Sequence, residues 1–466
     1  MLLFLFAFVA VQLAVAVWTV RRIRSEDDFL VAGRRLGPGL AAVSIFATWF
    51  GAESCVGAAG SAYESGWSLA QPEPFAYGVC LVVTGLFFAA RLWRLRITTL
   101  ADFLAARFGA STERLAAVLL LPSSLLWAAA QIRAFGHVVA VNSGGALDVE
   151  TAIALAAGIA IVYTVTGGLL ADVYTDVIQC GALLLGLAAL GVAVWLHVPD
   201  APAVMAASAA APPAYAPDWL DVVENWSIPI CGSVVAQEVI SRALAARSPG
   251  VARGATIAGG GFYLLVGVIP LAIGVVGPRF APGLEDPEGI LPHLSQQLLP
   301  DALNVVFAGA LIAAILSTVD SCLLVVSSLV ARNLGPRAKD AARGNLLLAR
   351  WAVVIGGLVA FLFARSGWNV QDLVEEASGF GSAGVFVLAC AGLFGRRGRS
   401  VAANLTLGTG LTVWVGGRHL LPEWSAHPYL TSLGAAAVAF ALGCLWERRA
   451  GAARDQQRHR TGPGAP

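Results

Sequence analysis

Several groups of polar side chains stand inside stretches that are otherwise apolar, and they set the chemistry open to this chain. Within 308–328 (AGALIAAILSTVDSCLLVVSS), Ser317, Thr318, Asp320 and Ser321 interrupt an apolar run. The hydroxyls of Ser317 and Thr318, with carbonyls around Ala314, are hard oxygen donors suited to Na+, although such hydroxyls also bond back to their own helix. Asp320 reads as facing a cytoplasmic exit. Within 47–63 (ATWFGAESCVGAAGSAY), Glu53 stands among Gly51, Gly57, Gly60 and several alanines, too little bulk to hold a continuous rod. A local break that frees carbonyls for a cation and a small-residue packing seam are both open there. Gln71 and Glu73 begin the next apolar stretch, Gln131 and Arg133 lie in WAAAQIRAFGH (127–137), and 222–243 carries Glu224, Gln237 and Glu238. Ionisable groups in such surroundings need a partner, a hydrated cavity or a route to the interface. Either Arg133 pairs with Glu53 or Glu73, or these groups line a solute cavity. In TVTGGLLADVYTDVIQ (164–179), Asp172, Thr175, Asp176 and Gln179 suit helix capping as well as ion conduction.

Other chemistry has no centre. HExxH, Walker, serine-elbow and dinucleotide motifs are absent, and Gly259 to Gly261 lack P-loop spacing, so the chain reads as no enzyme and as needing no organic cofactor. The six histidines are scattered, with His137 alone inside an apolar stretch, which points to no metal site beyond sodium. All seven cysteines fall in or beside apolar segments without a CxxC pair and read as packing residues. A net charge of +1 gives no basic surplus for nucleic acid.

The elements that must position these groups are membrane helices. Of 466 residues 58% are hydrophobic and 13% charged, against roughly 45–50% and 25% in ordinary soluble domains. Mean hydropathy is +0.75. Apolar windows long enough to cross a bilayer fall at about 1–20, 39–62, 68–90, 115–140, 150–166, 173–196, 222–243, 252–275, 301–331, 345–364, 371–394, 400–417 and 428–446, thirteen in all. The first reads as a retained helix and not as a cleaved signal. With the N-terminus outside, 26 of the 30 Lys and Arg residues fall on the cytoplasmic side, leaving Arg279, Arg365 and Arg418 outside and Arg133 within a span. Between spans, 98–109 (TTLADFLAARFG) reads as a short interfacial helix, the Ala/Pro-rich loop 197–221 as extended chain with little packing, and 448–466 as a short disordered tail.

Taken together, these residues resemble the sodium:solute symporter family, the group that includes sodium-coupled proline, pantothenate and sugar transporters. The segments that carry the resemblance are DFLVAGRRLGPGLAAVSIFATWFGAES (28–54), TTLADFLAARFG, GGLLADVYTDVIQ (167–179), QEVISRALAARSPGVARG (237–254) and ALIAAILSTVDSCLLVVSSLVARNL (310–334). The resemblance implies an all-α polytopic protein with an inverted repeat of two five-helix units, 39–196 and 222–394. Broken helices would lie at the midplane, with 1–20 and 400–446 peripheral and 448–466 a cytoplasmic tail. It places sodium on carbonyls of Ala47, Phe50 and Ala314 and on the hydroxyls of Ser317 and Thr318. Asp176 matches a signature aspartate of the intracellular ion route. Ser54 and Glu73 occupy the positions where sugar-transporting members contact substrate, but Ser54 departs from their glutamine.

The expectation is therefore sodium-coupled symport of a small polar organic solute by alternating access. The sodium ligands are Ala47, Phe50, Ala314, Ser317 and Thr318, with Asp176 and Asp320 on the ion path. Glu53, Ser54, Glu73, Gln71, Gln131, Arg133 and Gln237 are placed at the solute. The expected setting is a bacterial inner membrane, with Na+ as coupling ion and function as a monomer without an obligatory protein partner. Proton coupling through Glu53 or Glu73, and a non-transporting sensor of the same fold, stay open as alternatives.

Overall fold

A computed structural model describes residues 31–68, 71–144, 146–166, 169–210, 218–335, 342–395 and 397–460. The expected first span, 1–20, lies outside the described residues. Among those described the chain is helical throughout, with one isolated β-bridge between Leu36 and Ala246.

The helices are α1 (Pro38–Trp49), α2 (Ala58–Ser65), α3 (Phe75–Arg94), α4 (Leu100–Phe108), α5 (Ala110–Asn142), α6 (Val149–Thr166), α7 (Leu169–His197), α8 (Ala201–Ala210) and α9 (Trp219–Val234). They continue as α10 (Gln237–Ala245), α11 (Pro249–Val276), α12 (Ile290–Leu298), α13 (Asp301–Ser328), α14 (Ala342–Ala364), α15 (Val370–Gly379), α16 (Ser382–Phe394), α17 (Ser400–Val415) and α18 (Pro428–Arg460). Seven helices are long and apolar enough to cross a membrane, or ten when each of three bent pairs is taken as one span. The apolar helix Val149–Val165, within α6, falls below that length. The bends are 59° between α1 and the segment from Glu53 to Ser65, 44° between α9 and α10, and 44° between α15 and α16. The first two stand at the start of the two halves into which the resemblance divides the chain.

Local sequence accounts for where these rods begin and bend. Pro38 occupies the first turn of α1, where its missing N–H leaves no donor unsatisfied. Phe50 leaves the helix at φ −92° and ψ 68°, and the backbone resumes through a π-helical turn, Glu53–Gly57. Ser248 caps α11, accepting from the N–H of Val251, and Thr99 with Asp102 forms a reciprocal capping box on α4.

Two loop expectations change. In 197–221, the run after Asp200 is a helix, α8, which packs on α11 and accepts from the Trp67 N–H through Ser208 Oγ. Alanine is the best helix former, and Pro202, the proline within α8, stands in its first turn where it is tolerated. The Arg279 guanidinium, hydrogen-bonded to Asp200 beside this helix, holds the Asp200 carboxyl below the usual carboxylate range. At the other end of the chain α18 continues to Arg460, so helix runs well into the expected tail. The 98–109 segment forms as expected, but α4 buries Leu100, Phe103, Leu104 and Phe108 against protein.

At the centre, α1 is enclosed by α7, α10, α11 and α13, while α5 packs along α13 and α15. The N-terminal end of α1 is tied across the bundle: the Leu36 N–H donates to the Ala245 carbonyl at 3.1 Å and the Arg247 N–H to the Leu36 carbonyl at 2.9 Å. The Arg34 guanidinium also donates to the Ile97 carbonyl. These contacts fasten the start of α1 to α10 and to the segment before α4.

Close helix contact rests on particular glycines. A Cβ on Gly232 of α9 would lie 2.1 Å from the Ser378 carbonyl oxygen of α15, and one on Gly274 of α11 would lie 2.3 Å from the Ala59 carbonyl oxygen of α2. Gly158 of α6 faces open space. Gly232→Ala and Gly274→Ala are each expected to lower stability by about 1–3 kcal/mol through overpacking, whereas Gly158→Ala should be neutral or mildly stabilising. Thermal unfolding of the detergent-solubilised protein checks the contrast, and equal midpoints for all three variants would contradict it.

Candidate functional site

The break after α1 leaves backbone N–H groups without helical partners in the middle of a buried bundle, where each needs another acceptor. Side chains supply them. The Gly51 N–H donates to Glu53 Oε1 at 3.1 Å and the Ala52 N–H to Gln131 Oε1 at 2.8 Å, while Gln131 Nε2 donates to Glu53 Oε2 at 2.9 Å. Ser54 Oγ donates to Glu53 at 3.3 Å and makes a short hydrogen bond with the Tyr263 hydroxyl of α11. Glu53, Ser54 and Gln131 are thus gathered as the sequence suggested, and all three are engaged in holding the break. Gly51 is required at its centre, since a Cβ there would lie 2.7 Å from Gln131 Oε1, 2.9 Å from Glu53 Oε2 and 3.0 Å from Thr318 Oγ1.

On the other side of the break α1, α7 and α13 converge. Thr318 Oγ1 donates to the Thr48 carbonyl of α1 at 3.2 Å and to the Ala314 carbonyl at 3.3 Å. Ala47, Phe50 and Ala314 are buried beside it. The last carbonyls of a terminating helix have no intrahelical partner, so α1 offers oxygens towards Thr318. Ser317 Oγ turns to α7, donating to Asp176 Oδ1 at 2.5 Å and to Asp172 Oδ1 at 3.0 Å. Ser44 of α1 donates to the other oxygen of Asp176 at 2.7 Å. Carbonyls, hydroxyls and a carboxylate make a donor set of the kind that suits a hard monovalent cation; the α1 carbonyl that meets Thr318 is that of Thr48, which the expected ligands Ala47 and Phe50 flank in the chain.

Two members of this cluster have functions the residue pattern did not single out. Asp172 forms a buried ion pair with Arg242 of α10, and Ser321 Oγ donates to the same carboxylate at 3.1 Å. Arg242 is 1% exposed, so it is a cation inside the bundle and not a cytoplasmic surface charge. Its place after Gln237 and Glu238 in a polar stretch was the available signal. Asp320, also buried, stands within electrostatic reach of Asp172, Asp176 and Arg242.

A separate cavity of about 120 Å³ lies between the start of α3, α9 and α15, lined among others by Gln71, Glu73, Tyr77, Asn225, Gln371 and Glu375. Glu73 is buried, and its Oε2 has no hydrogen-bond partner. Glu375 is paired with Arg418 at 3.3 Å. Behind Tyr77, Trp49 and Trp127 complete a buried aromatic group with ring centroids 6.3 Å (Trp49–Tyr77), 5.7 Å (Tyr77–Trp127) and 4.8 Å (Trp49–Trp127) apart. None of the three aromatics stood out in the sequence, because such residues at helical spacing fit a core equally well.

Arg133 and Gln237 lie elsewhere. Arg133 pairs with Glu288 at 3.5 Å, not with Glu53 or Glu73. Two residues along a helix turn a side chain by about 200°, so it cannot share the direction of Gln131. Gln237 accepts from the Leu100 N–H at 2.6 Å and donates to the Thr98 carbonyl at 3.2 Å, which docks α10 on the start of α4.

Comparison with known proteins adds the family context. A family-wide profile described as the sodium:solute symporter family matches residues 29–403. The high-affinity choline transporter 1 of Drosophila melanogaster is 29% identical over 401 residues, covering 80% of this chain and 63% of that protein. The human high affinity choline transporter 1 is 28% identical over 368 residues, covering 72% and 61%. The chain thus spans somewhat over three fifths of the length of these relatives. The high-affinity proline transporter PutP of Bacillus subtilis is 26% identical over 398 residues, covering 80% and 82%. Among solved structures, a Na+-coupled sialic acid symporter superposes with a TM-score of 0.78 at 19% identity, covering 94% of this chain and 97% of that one. A nucleobase-cation-symport-1 family transporter gives 0.62 at 17%, covering 91% and 95%. Both show the same fold.

Gly51→Ala is expected to cost about 1–3 kcal/mol, because it drives a methyl into Gln131, Glu53 and Thr318 at once. Thermal unfolding measures this, and a wild-type midpoint would mean that the three oxygens can part without consequence.

Proposed function

The chain belongs to the sodium:solute symporter family, and from that premise we propose that it is a sodium-coupled symporter for a small organic cation, an amine or quaternary ammonium compound. The observation that carries the choice of solute is Glu73, whose buried carboxylate oxygen is unpartnered in a cavity that also holds Tyr77. A buried carboxylate without a partner is costly, and an ammonium group offsets that cost directly. Aromatic faces add cation–π attraction of about 0.5–2 kcal/mol each, strongest for Trp. Tyr77, Trp49 and Trp127 are disposed to supply it as the solute moves inward from the cavity. The curated relatives whose names specify choline point to the same class of solute.

Sodium acts on the other face of the break. Bound among Ala47, Phe50, Ala314, Ser317 and Thr318, it holds α1 to α13 and so fixes the Gly51 turn, whose opposite side carries Glu53 and Gln131. Ion and solute thereby stabilise one arrangement of the same broken helix. With the N-terminus outside, the tied end of α1 faces the cytoplasm and the cavity faces outward. Rocking of the broken helices then releases the ion past Asp176 and Asp320. Sodium and an organic cation both move down the membrane potential, each gaining about 2.3 kcal/mol per 100 mV. The setting is a bacterial inner membrane and the unit a monomer.

Reconstitution tests the reading. Proteoliposomes with an inward sodium gradient should accumulate radiolabelled choline in preference to proline, and Glu73→Gln should raise the KM for choline by about tenfold or more. Thr318→Ala should weaken sodium dependence while leaving choline selectivity intact. Uptake of proline without choline would overturn the choice of solute. Uptake driven equally well by a proton gradient in sodium-free buffer would overturn the coupling ion.

A further inference from the structure

The densest group of ligating side chains outside the sodium and solute positions joins α5 to the segment between α11 and α12. His137 of α5 is more than nine-tenths buried, and its Nδ1 lies 2.6 Å from Asp286 Oδ2 while its Nε2 lies 3.9 Å from Glu288 Oε2. One ligating atom from each of the three residues falls within 4.8 Å of the other two. Neither imidazole nitrogen makes a directed hydrogen bond, and neither does Glu288 Oε2. The buried imidazole is therefore aimed at two carboxylates without the geometry that would satisfy it.

The place of this cluster in the fold gives it leverage. Glu288 Oε1 accepts from the N–H of Val370, the first residue of α15. The backbone of Pro287 and Glu288 also lies against Gly60 of α2, where an added Cβ would come within 3.2 Å. The loop thus bridges the scaffold helix α5 to the outer halves of two broken helices, α2 and α15. Asp286 is 44% exposed at its side chain, which gives the cluster access to bulk solvent.

One imidazole nitrogen and two carboxylate oxygens are the donor set of an open zinc site, with water in the fourth position. Ca²⁺ and Mg²⁺ take oxygen ligands, whereas an imidazole nitrogen in the set favours a transition-metal dication. In a tetrahedral zinc site the donors lie about 3.4 Å apart, close to the separations found here, none of which exceeds 4.8 Å. We propose that His137, Asp286 and Glu288 form a binding site for a transition-metal dication of the zinc class, whose occupation fastens the loop to α5 and slows opening on that side. The binding stands on these residues alone; only its effect on opening rests on the transport reading.

The test uses the full chain, purified without a polyhistidine tag, treated with EDTA and dialysed. Titration calorimetry and thermal unfolding with ZnCl2 alone should show one saturable site and a raised midpoint, with CaCl2 and MgCl2 giving neither. His137→Gln and Asp286→Asn should each weaken zinc binding by about tenfold or more while keeping the metal-free midpoint close to wild type. A zinc response that survives both substitutions, or none in the folded wild type, overturns the site. In proteoliposomes that show solute uptake, external zinc should slow it and EDTA restore it. Binding without slowing rejects the effect on opening and leaves the site standing. A preparation without any uptake speaks against the transport reading and leaves calorimetry to decide the site.

Discussion

The structure depends on how a helix break is tolerated in the interior of an apolar bundle. When α1 stops at Trp49, the N–H groups of Gly51 and Ala52 lose their helical acceptors, and each unsatisfied group would cost several kcal/mol in such surroundings. Glu53 and Gln131 replace those acceptors and are themselves hydrogen-bonded to each other, so the break is closed as a polar network and not left as a defect. Because Gln131 belongs to α5, Ser54 reaches Tyr263 of α11 and Thr318 belongs to α13, three neighbouring helices are registered on one turn. Gly51 is the residue that lets them come so near. A turn held from three sides is also a turn that responds when any of those sides moves.

The charged group beneath it follows the same economy. Asp172, Asp176 and Asp320 are buried together with a single guanidinium, Arg242. Asp172 has that cation as a direct partner, and Asp176 is held by the hydroxyls of Ser44 and Ser317. Removing either member of the Asp172 and Arg242 pair would strand the other in low dielectric, which is far costlier than the pair itself. The pair spans α7 and α10, so the charge balance of this buried group and the position of α10 are tied to one contact.

Much of this was legible in the sequence, and what was missed has a common cause. Side-chain periodicity and charge placement report on one helix at a time, which is why Ser317 with Thr318 and the small-residue stretch around Gly51 could be recognised. They do not report which neighbour a polar group meets. Arg133 and Gln131 are two residues apart yet serve different junctions, and Gln237 docks α4. Glu224, one of the polar residues within 222–243, accepts from the N–H groups of Tyr429 and Leu430 and so caps the start of α18. The histidines looked scattered because His137 is separated from Asp286 and Glu288 by the whole of the intervening bundle in sequence, though not in space. Composition also misled in 197–221, where the alanine-rich run 201–210 forms α8 with its proline in the first turn.

The chain after α16 also reaches the cavity between α3, α9 and α15. Arg418, beyond α17, pairs with Glu375 of α15, and His419 meets Glu376 on the same helix. Without Arg418 the cavity would face two uncompensated carboxylates, Glu73 and Glu375, and like charges at that proximity oppose each other's ionisation. With Glu375 engaged, Glu73 is the carboxylate lining this cavity that has an oxygen without a hydrogen-bond partner. One such carboxylate suits the single positive charge of the proposed solute, whereas two would favour a dication or hold a proton between them. The peripheral segment thus sets the charge that the core presents, which gives the chain beyond α16 a reason to pack against α15 that membrane anchoring alone does not supply.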